Sequence, residues 1–236
     1  MQIYDDKLIH IYWRFANVFS GLVITSLLRV MLILNFKNGG SEMKNVLKTL
    51  LGVWNTKTVV AIAIGAALFG VLMNFGGIPI FTNTNLTTAM IIPVIVGAMF
   101  GPVPAFISCA VGNIIADLIG GWGFWFDWSV GNGVLGFIVG LLPLYGAKIN
   151  EGIFKPIHAV IYAVTCIIGN AFAFGVITPL LTMAFYGGEE SITFLQAIAG
   201  GIANTAILVV IGIPILFALA RRNARSTNLK MEEDKE

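Results

Sequence analysis

Positive charge is missing from most of this chain. No Lys or Arg stands between Lys57 and Lys148, and none between Lys155 and Arg221. Charged residues of both signs make up 11% of the 236 residues, where a soluble domain carries about 25%. That shortage excludes an ordinary soluble domain. A net charge of +2 without a basic stripe excludes a nucleic-acid binder. Cysteine is scarce too. Cys109 and Cys166 stand alone inside apolar stretches, with no C-x-x-C spacing. That points away from a zinc site or a disulfide framework and toward small buried side chains. Histidine is limited to His10 and His158. There is no H-E-x-x-H zinc helix, no G-x-S-x-G elbow and no P-loop. The chain therefore reads as no enzyme, with no cofactor called for, and any ATP hydrolysis would belong to partners. No classical cleavable signal is present.

What fills the charge-free stretches is Ile, Val, Ala, Gly and Phe; 57% of the chain is hydrophobic. Lipid leaves only helices and closed barrels with satisfied backbones, and alternating barrel strands are absent. The chain reads as an all-α protein crossing the lipid bilayer. Six spans are expected: Thr58 to Phe75, Leu86 to Phe100, Val103 to Ile119, Trp128 to Tyr145, Pro156 to Leu181 and Thr193 to Ala220. The second is short for a crossing of about 20 residues, with a bend expected at Pro93. The sixth is long enough to tilt, with a kink expected at Pro214.

Basic residues flank spans on the cytoplasmic side. Lys44, Lys48 and Lys57, then Lys148 and Lys155, then Arg221, Arg222, Arg225 and Lys230 put both termini inside. Residues 43–57 read as a basic cytoplasmic lead, 58–220 as the membrane domain and 221–236 as a charged tail that frays into solvent. Three loops face outward: Gly76 to Asn85, Gly120 to Asp127 and Thr182 to Ile192.

Residues 1–42 are unlike the rest. Phe15 to Phe36 is apolar but carries Arg29 near its middle, which costs roughly 2.5–3.5 kcal/mol on insertion scales. It reads as a poor span, an interfacial helix, or no native protein at all. Gly39-Gly40 codons can spell a bacterial ribosome-binding sequence at a suitable distance before Met43. Met43 opens an ordinary basic start, so translation is expected to begin there.

Polar residues inside the spans carry the functional signal. Asn74, Asn113, Asn132, Asn170 and Asn204 fall in five spans, mostly in the middle or outer half. Each alone reads as a bond to a neighbouring helix; together they point to an outward-facing polar pocket. Asp117 lies one turn beyond Asn113 on the same helix face. It has three readings: a bond to ligand donors, a proton or sodium site, or an acceptor for the loop that begins at Gly120. Trp122-Gly-Phe-Trp-Phe-Asp-Trp128 suits interfacial anchoring, and Trp122 and Trp125 also suit stacking on a flat ligand. The Gly76 to Asn85 loop, with Asn85 and its neighbouring Thr residues, covers the same mouth. On the first span Ala63, Ala67 and Gly70 recur at i, i+4 and i+7, a spacing that serves internal packing or partner docking.

Lys44 to Ala220 resembles the S components of energy-coupling factor (ECF) transporters, near the riboflavin-type group. The resemblance rests on Thr58-Val-Val-Ala-Ile-Ala-Ile-Gly-Ala-Ala67, on the Pro79 to Asn85 loop and on the stretch from Gly112-Asn113 to Trp128; residues 1–42 have no counterpart. It implies a bacterial plasma-membrane subunit that captures a vitamin or related micronutrient from outside. A membrane coupling protein and two ABC ATPases would energise it. Ala63 and Ala67 would face the coupling protein, and substrate would sit between the outer ends of the spans under the first outer loop. Specificity does not carry over; an aromatic mouth with one acid and many amides suits a flavin or a corrinoid. The alternative is a self-sufficient ion-coupled transporter or channel using Asp117.

Overall fold

The computed structural model describes residues 41–81, 84–187 and 189–233. The expectation about the N-terminal stretch, Phe15 to Phe36 included, lies outside the described residues. The chain divides into two compact units, residues 1–47 and 48–236. Of the first, the described part is the beginning of helix α1 (Ser41–Leu51). The rest of this account concerns the second.

Helix α2 (Thr56–Phe75) starts because Asn55 turns its side chain onto the Thr58 amide and the Thr58 hydroxyl donates to the Val53 carbonyl. It is apolar on all sides, as a helix in lipid must be. Its buried face is small: Gly65, Ala66 and Gly70 beside Phe69. That face meets helix α4 (Pro102–Gly120) so closely that a Cβ on Gly112 would lie 2.6 Å from the Phe69 Cβ. The Ser108 hydroxyl donates to the Ile62 carbonyl at the same seam, 3.3 Å away.

Between them lies a departure from the all-α expectation. Gly77–Phe81 (β1) and Thr84–Thr87 (β2) form an antiparallel hairpin with a register shift between Pro79 and Phe81. Leu86, the expected start of the second span, belongs to β2. Helix α3 (Ile91–Phe100) begins only after a 3-10 turn at Thr88–Met90. Pro93 stands in the first turn of α3, where its missing N–H is not needed, and so marks a helix start rather than a mid-span bend. The tight turn before α4 is Gly101, at φ 100°, a left-handed conformation that favours glycine.

Helix α5 (Phe126–Val139) starts two residues before the expected Trp128 and so takes Asp127 into its first turn. Gly97 and Gly140 let α3 and the end of α5 touch; a Cβ on Gly97 would lie 2.7 Å from the Gly140 Cα. Helix α6 (Pro156–Phe172) passes through a π turn at Ala173–Ile177 into helix α7 (Thr178–Tyr186). Helix α8 (Glu190–Ile207) passes through a second, Leu208–Gly212, into helix α9 (Ile213–Glu233). Each π turn precedes a proline, Pro179 or Pro214, whose ring crowds the preceding turn and whose N–H is absent. The irregularity expected at Pro214 takes this form; the one at Pro179 carried no expectation.

The charged tail does not fray after Ala220. α9 runs helically to Glu233, because Asn223 donates to the Ile149 carbonyl at 2.9 Å and Ala224 packs on Gly152.

Among the described residues, five helical rods are long and apolar enough to cross a membrane: Thr56–Phe75, Pro102–Gly120, Phe126–Tyr145, Pro156–Tyr186 and Ser191–Ser226. Thr88–Phe100 is a shorter apolar helix. The protein is thus a multi-pass membrane protein. The hydrophobic core lies between α2, α3, α4, α5, α6 and α8, around Phe69, Met90, Val94, Leu135, Val139, Tyr162 and Phe174. Cys109 and Cys166 are free and buried in it.

Candidate functional site

The C-terminal end of α4, the loop after it and the first turns of α5 build one polar cluster. Asn113 sits at its centre, 2% exposed. Its amide donates toward the Asp117 carboxylate at 3.3 Å and the Ser129 hydroxyl at 3.2 Å, and its carbonyl oxygen accepts from the Asn132 amide at 2.9 Å. The Asn132 amide also reaches the Trp128 carbonyl at 3.1 Å. Asp117, one turn along α4, accepts the Trp125 backbone N–H at 3.0 Å. The loop after Gly120 is therefore held by Asp117, the third of the readings open from sequence. The Trp122 N–H adds a backbone bond to the Asp117 carbonyl at 3.1 Å. Gly121, at φ 66°, makes that reversal.

The aromatic loop is clasped from the other side by α7. The Tyr186 hydroxyl accepts from the Phe126 N–H at 2.9 Å and donates to the Phe124 carbonyl at 3.2 Å. Its ring lies 4.8 Å from that of Trp125, and Phe126 meets Phe185 edge-on at 5.7 Å. The Trp125 ring N–H donates to the Trp122 carbonyl. Trp122 and Trp125 remain 48% and 37% exposed, open to lipid or solute.

Other residues singled out from sequence lie elsewhere. Asn74 donates to the Gly70 and Ala116 carbonyls, both at 3.0 Å, and so ties α2 to α4. Asn85 stands in β2 opposite Pro79. Asn170, in α6, donates to the Cys166 carbonyl of its own helix at 2.9 Å. Asn204 is buried in α8. Ala63 and Ala67 are exposed on α2, whereas Gly70 is covered: a Cβ there would lie 2.6 Å from the Ile115 Cγ2. Gly70 thus serves the α2–α4 contact and does not share the open face with the two alanines.

Sequence reasoning missed the second carboxylate. Asp127, placed in a loop by the expected spans, is 0% exposed. The Thr182 hydroxyl of α7 is shared between its carboxylate and the Thr178 carbonyl. The available signal was the aromatic run itself, since a helix starting two residues earlier takes Asp127 into its first turn, on the same face as Gly131. Several buried oxygens around this region have no hydrogen-bond partner: Asp127 Oδ1, Asn132 Oδ1, Asn170 Oδ1 and Thr178 Oγ1. Buried polar groups are nearly always paired in native proteins. These four lie on helices α5, α6 and α7; the Tyr145 and Tyr162 hydroxyls are likewise buried without a partner. Among the described residues no group of three or more His, Cys, Asp or Glu could hold a metal ion.

Comparison with known proteins bears on the family of this chain. A UPF0397 protein of Aliivibrio fischeri strain MJ11 is 37% identical over 178 residues, covering 74% of this chain and 96% of that protein. One from Aliivibrio salmonicida strain LFI1238 is 37% identical over 178 residues, with the same coverage. One from Vibrio vulnificus strain YJ016 is 36% identical over 178 residues, covering 74% of this chain and 97% of the relative. No solved structure matches the chain significantly. Residues 53–221 match the family described as "ECF-type riboflavin transporter, S component". On that match and these relatives, the chain belongs to the S component family of ECF-type riboflavin transporters.

Proposed function

We propose that this chain is the solute-binding membrane subunit of a bacterial uptake system for a vitamin-type compound. Family membership supports a substrate-binding subunit that is not itself an enzyme. Separate subunits, a membrane coupling protein and two ABC ATPases, supply the energy. The observation that carries the reading is the cluster of Asn113, Asp117, Ser129 and Asn132 beneath an exposed tryptophan loop, with buried acceptor oxygens left unpaired. Such a site combines ring stacking with a few fixed polar groups, as small-molecule sites do. It suits a flavin or a corrinoid, and other neutral or cationic micronutrients as well.

Six crossings with both ends in the cytoplasm complete the proposal, α3 being the short second crossing. The distribution of Lys and Arg supports that orientation. Solute enters at the tryptophan end, under the β1–β2 hairpin. The open alanine face of α2, Ala63 with Ala67, docks the coupling protein.

Purification from native membranes tests the reading. Co-purification with ATPase subunits, together with a vitamin-type molecule identified by mass spectrometry, is the expected result. Solute transport by the purified chain alone in liposomes, driven by a proton gradient, would overturn it.

A further inference from the structure

Resting on that proposed function, we infer that Asp127 and Thr178 form a recognition seam between α5 and α7 that selects solutes carrying a cationic hydrogen-bond donor, such as a protonated amine or amidine.

The seam has a simple geometry. Asp127 and Gly131 lie one turn apart on α5, and Thr178 and Thr182 one turn apart on α7. Asp127 meets the Thr182 hydroxyl, and a Cβ on Gly131 would overlap the Thr178 hydroxyl. The two residues with leftover oxygens, Asp127 and Thr178, thus face the same interhelical line. They are 0% and 1% exposed, and Asp127 Oδ1 and Thr178 Oγ1 have no partner. A carboxylate out of water is costly unless it is paired and fully hydrogen-bonded. The positive end of the α5 dipole offsets only part of that cost.

Asp117 differs in that two donors, the Trp125 N–H and the Asn113 amide, share one of its oxygens, where Asp127 has the Thr182 hydroxyl alone. Nor, among the described residues, does a hydrogen bond or ion pair bring a cation to Asp127. Among the described residues the nearest basic side chains on the same rod, Lys155 and His158, stand at its opposite end. Thr182 is 24 residues beyond His158, about 36 Å at the helical rise. Among the described residues the salt bridge is Lys148 with Glu151, far from this seam in sequence. What the seam lacks is positive charge and any donor beyond the Thr178 and Thr182 hydroxyls, and a solute with a cationic donor completes it. Access is built into α7. It joins α6 through the π turn Ala173–Ile177 ahead of Pro179, a break in the helical hydrogen-bond ladder that lets α7 lean away from α5.

The test uses full-length protein in detergent. The probe is the small molecule that co-purifies with the wild type, extracted, quantified by mass spectrometry and added back to emptied protein. Thr178→Val removes an unpartnered oxygen and keeps the shape. It is expected to leave the melting temperature unchanged or raised, yet weaken rebinding about threefold. Asp127→Asn keeps an acceptor for Thr182 and removes the charge; rebinding is expected to fall about tenfold or more. The extracted molecule is expected to carry a protonated nitrogen donor at neutral pH.

The inference is overturned if Thr178→Val rebinds like wild type, or if the molecule lacks a cationic donor. A wild type that binds such a molecule with Asp127→Asn equally competent overturns it while leaving the uptake function standing. A wild type that retains no small molecule and captures no ATPase overturns both. Should Asp127→Asn fail to fold, Thr178→Val alone decides.

Discussion

The two ends of the helical rods treat polar groups differently. At the lysine end many polar side chains bond within the chain, although the buried Tyr145 hydroxyl has no partner. Asn55 caps α2, Asn150 donates to the Met99 carbonyl, Asn223 to the Ile149 carbonyl, and exposed Lys148 meets Glu151 at 3.1 Å. At the tryptophan end the polar groups are deeper and incompletely matched. Asp117 and Asp127 are 5% and 0% exposed, and acceptors on α5, α6 and α7 lack donors. The unpaired oxygens are more numerous toward the tryptophan end, and polar groups at membrane depth are expensive when unpaired.

That contrast can be broken by experiment. The largest effect is expected from Ala67→Trp on the open face of α2. Transport should vanish while solute binding is unchanged, because the site lies in other helices; a parallel loss of binding would remove the docking assignment. Next comes Gly97→Ala, whose new Cβ meets the Gly140 backbone, which cannot move aside. It should destabilise the fold by about 1–3 kcal/mol in thermal melts, with binding by the surviving folded protein intact. Asp117→Ala should weaken solute binding by about 1–3 kcal/mol, since it frees the Trp125 loop and strands the Asn113 amide. Titration calorimetry decides this, and an unchanged affinity would take Asp117 out of the site. Tyr186→Phe, which loses the hydroxyl clasp on Phe124 and Phe126, should cost about 1 kcal/mol of stability. Lys148→Ala should change stability by less than about 1 kcal/mol, because its ion pair is exposed and screened. A large effect there would erase the contrast between the ends.

Much of the fold was legible. The start of α2 within two residues of Thr58, the Gly101 turn, Pro156 at the head of α6 and the irregularity before Pro214 all follow from local rules about charge, proline and glycine. The hairpin was not legible, because Gly76 to Asn85 carries turn and strand residues too briefly for a period to show. The site was half legible. Asn113 and Asp117 sit one turn apart on a single helix, so spacing alone brings them together. Asp127 was missed because its burial depends on a helix start shifted by two residues.

The sequence by itself determined that this is a multi-pass membrane protein and where its long apolar stretches lie. Those properties follow from the transfer energies of single residues, summed along the chain. Only the tertiary structure decided which polar residues are used up and which are left over. It spent Asn74 on the α2–α4 seam and Gly70 on close packing. It also set Asp127 against Thr182, 55 residues away, with one oxygen unmatched. Hydrogen-bond saturation is a property of pairs brought together by packing, and no window of sequence contains both partners.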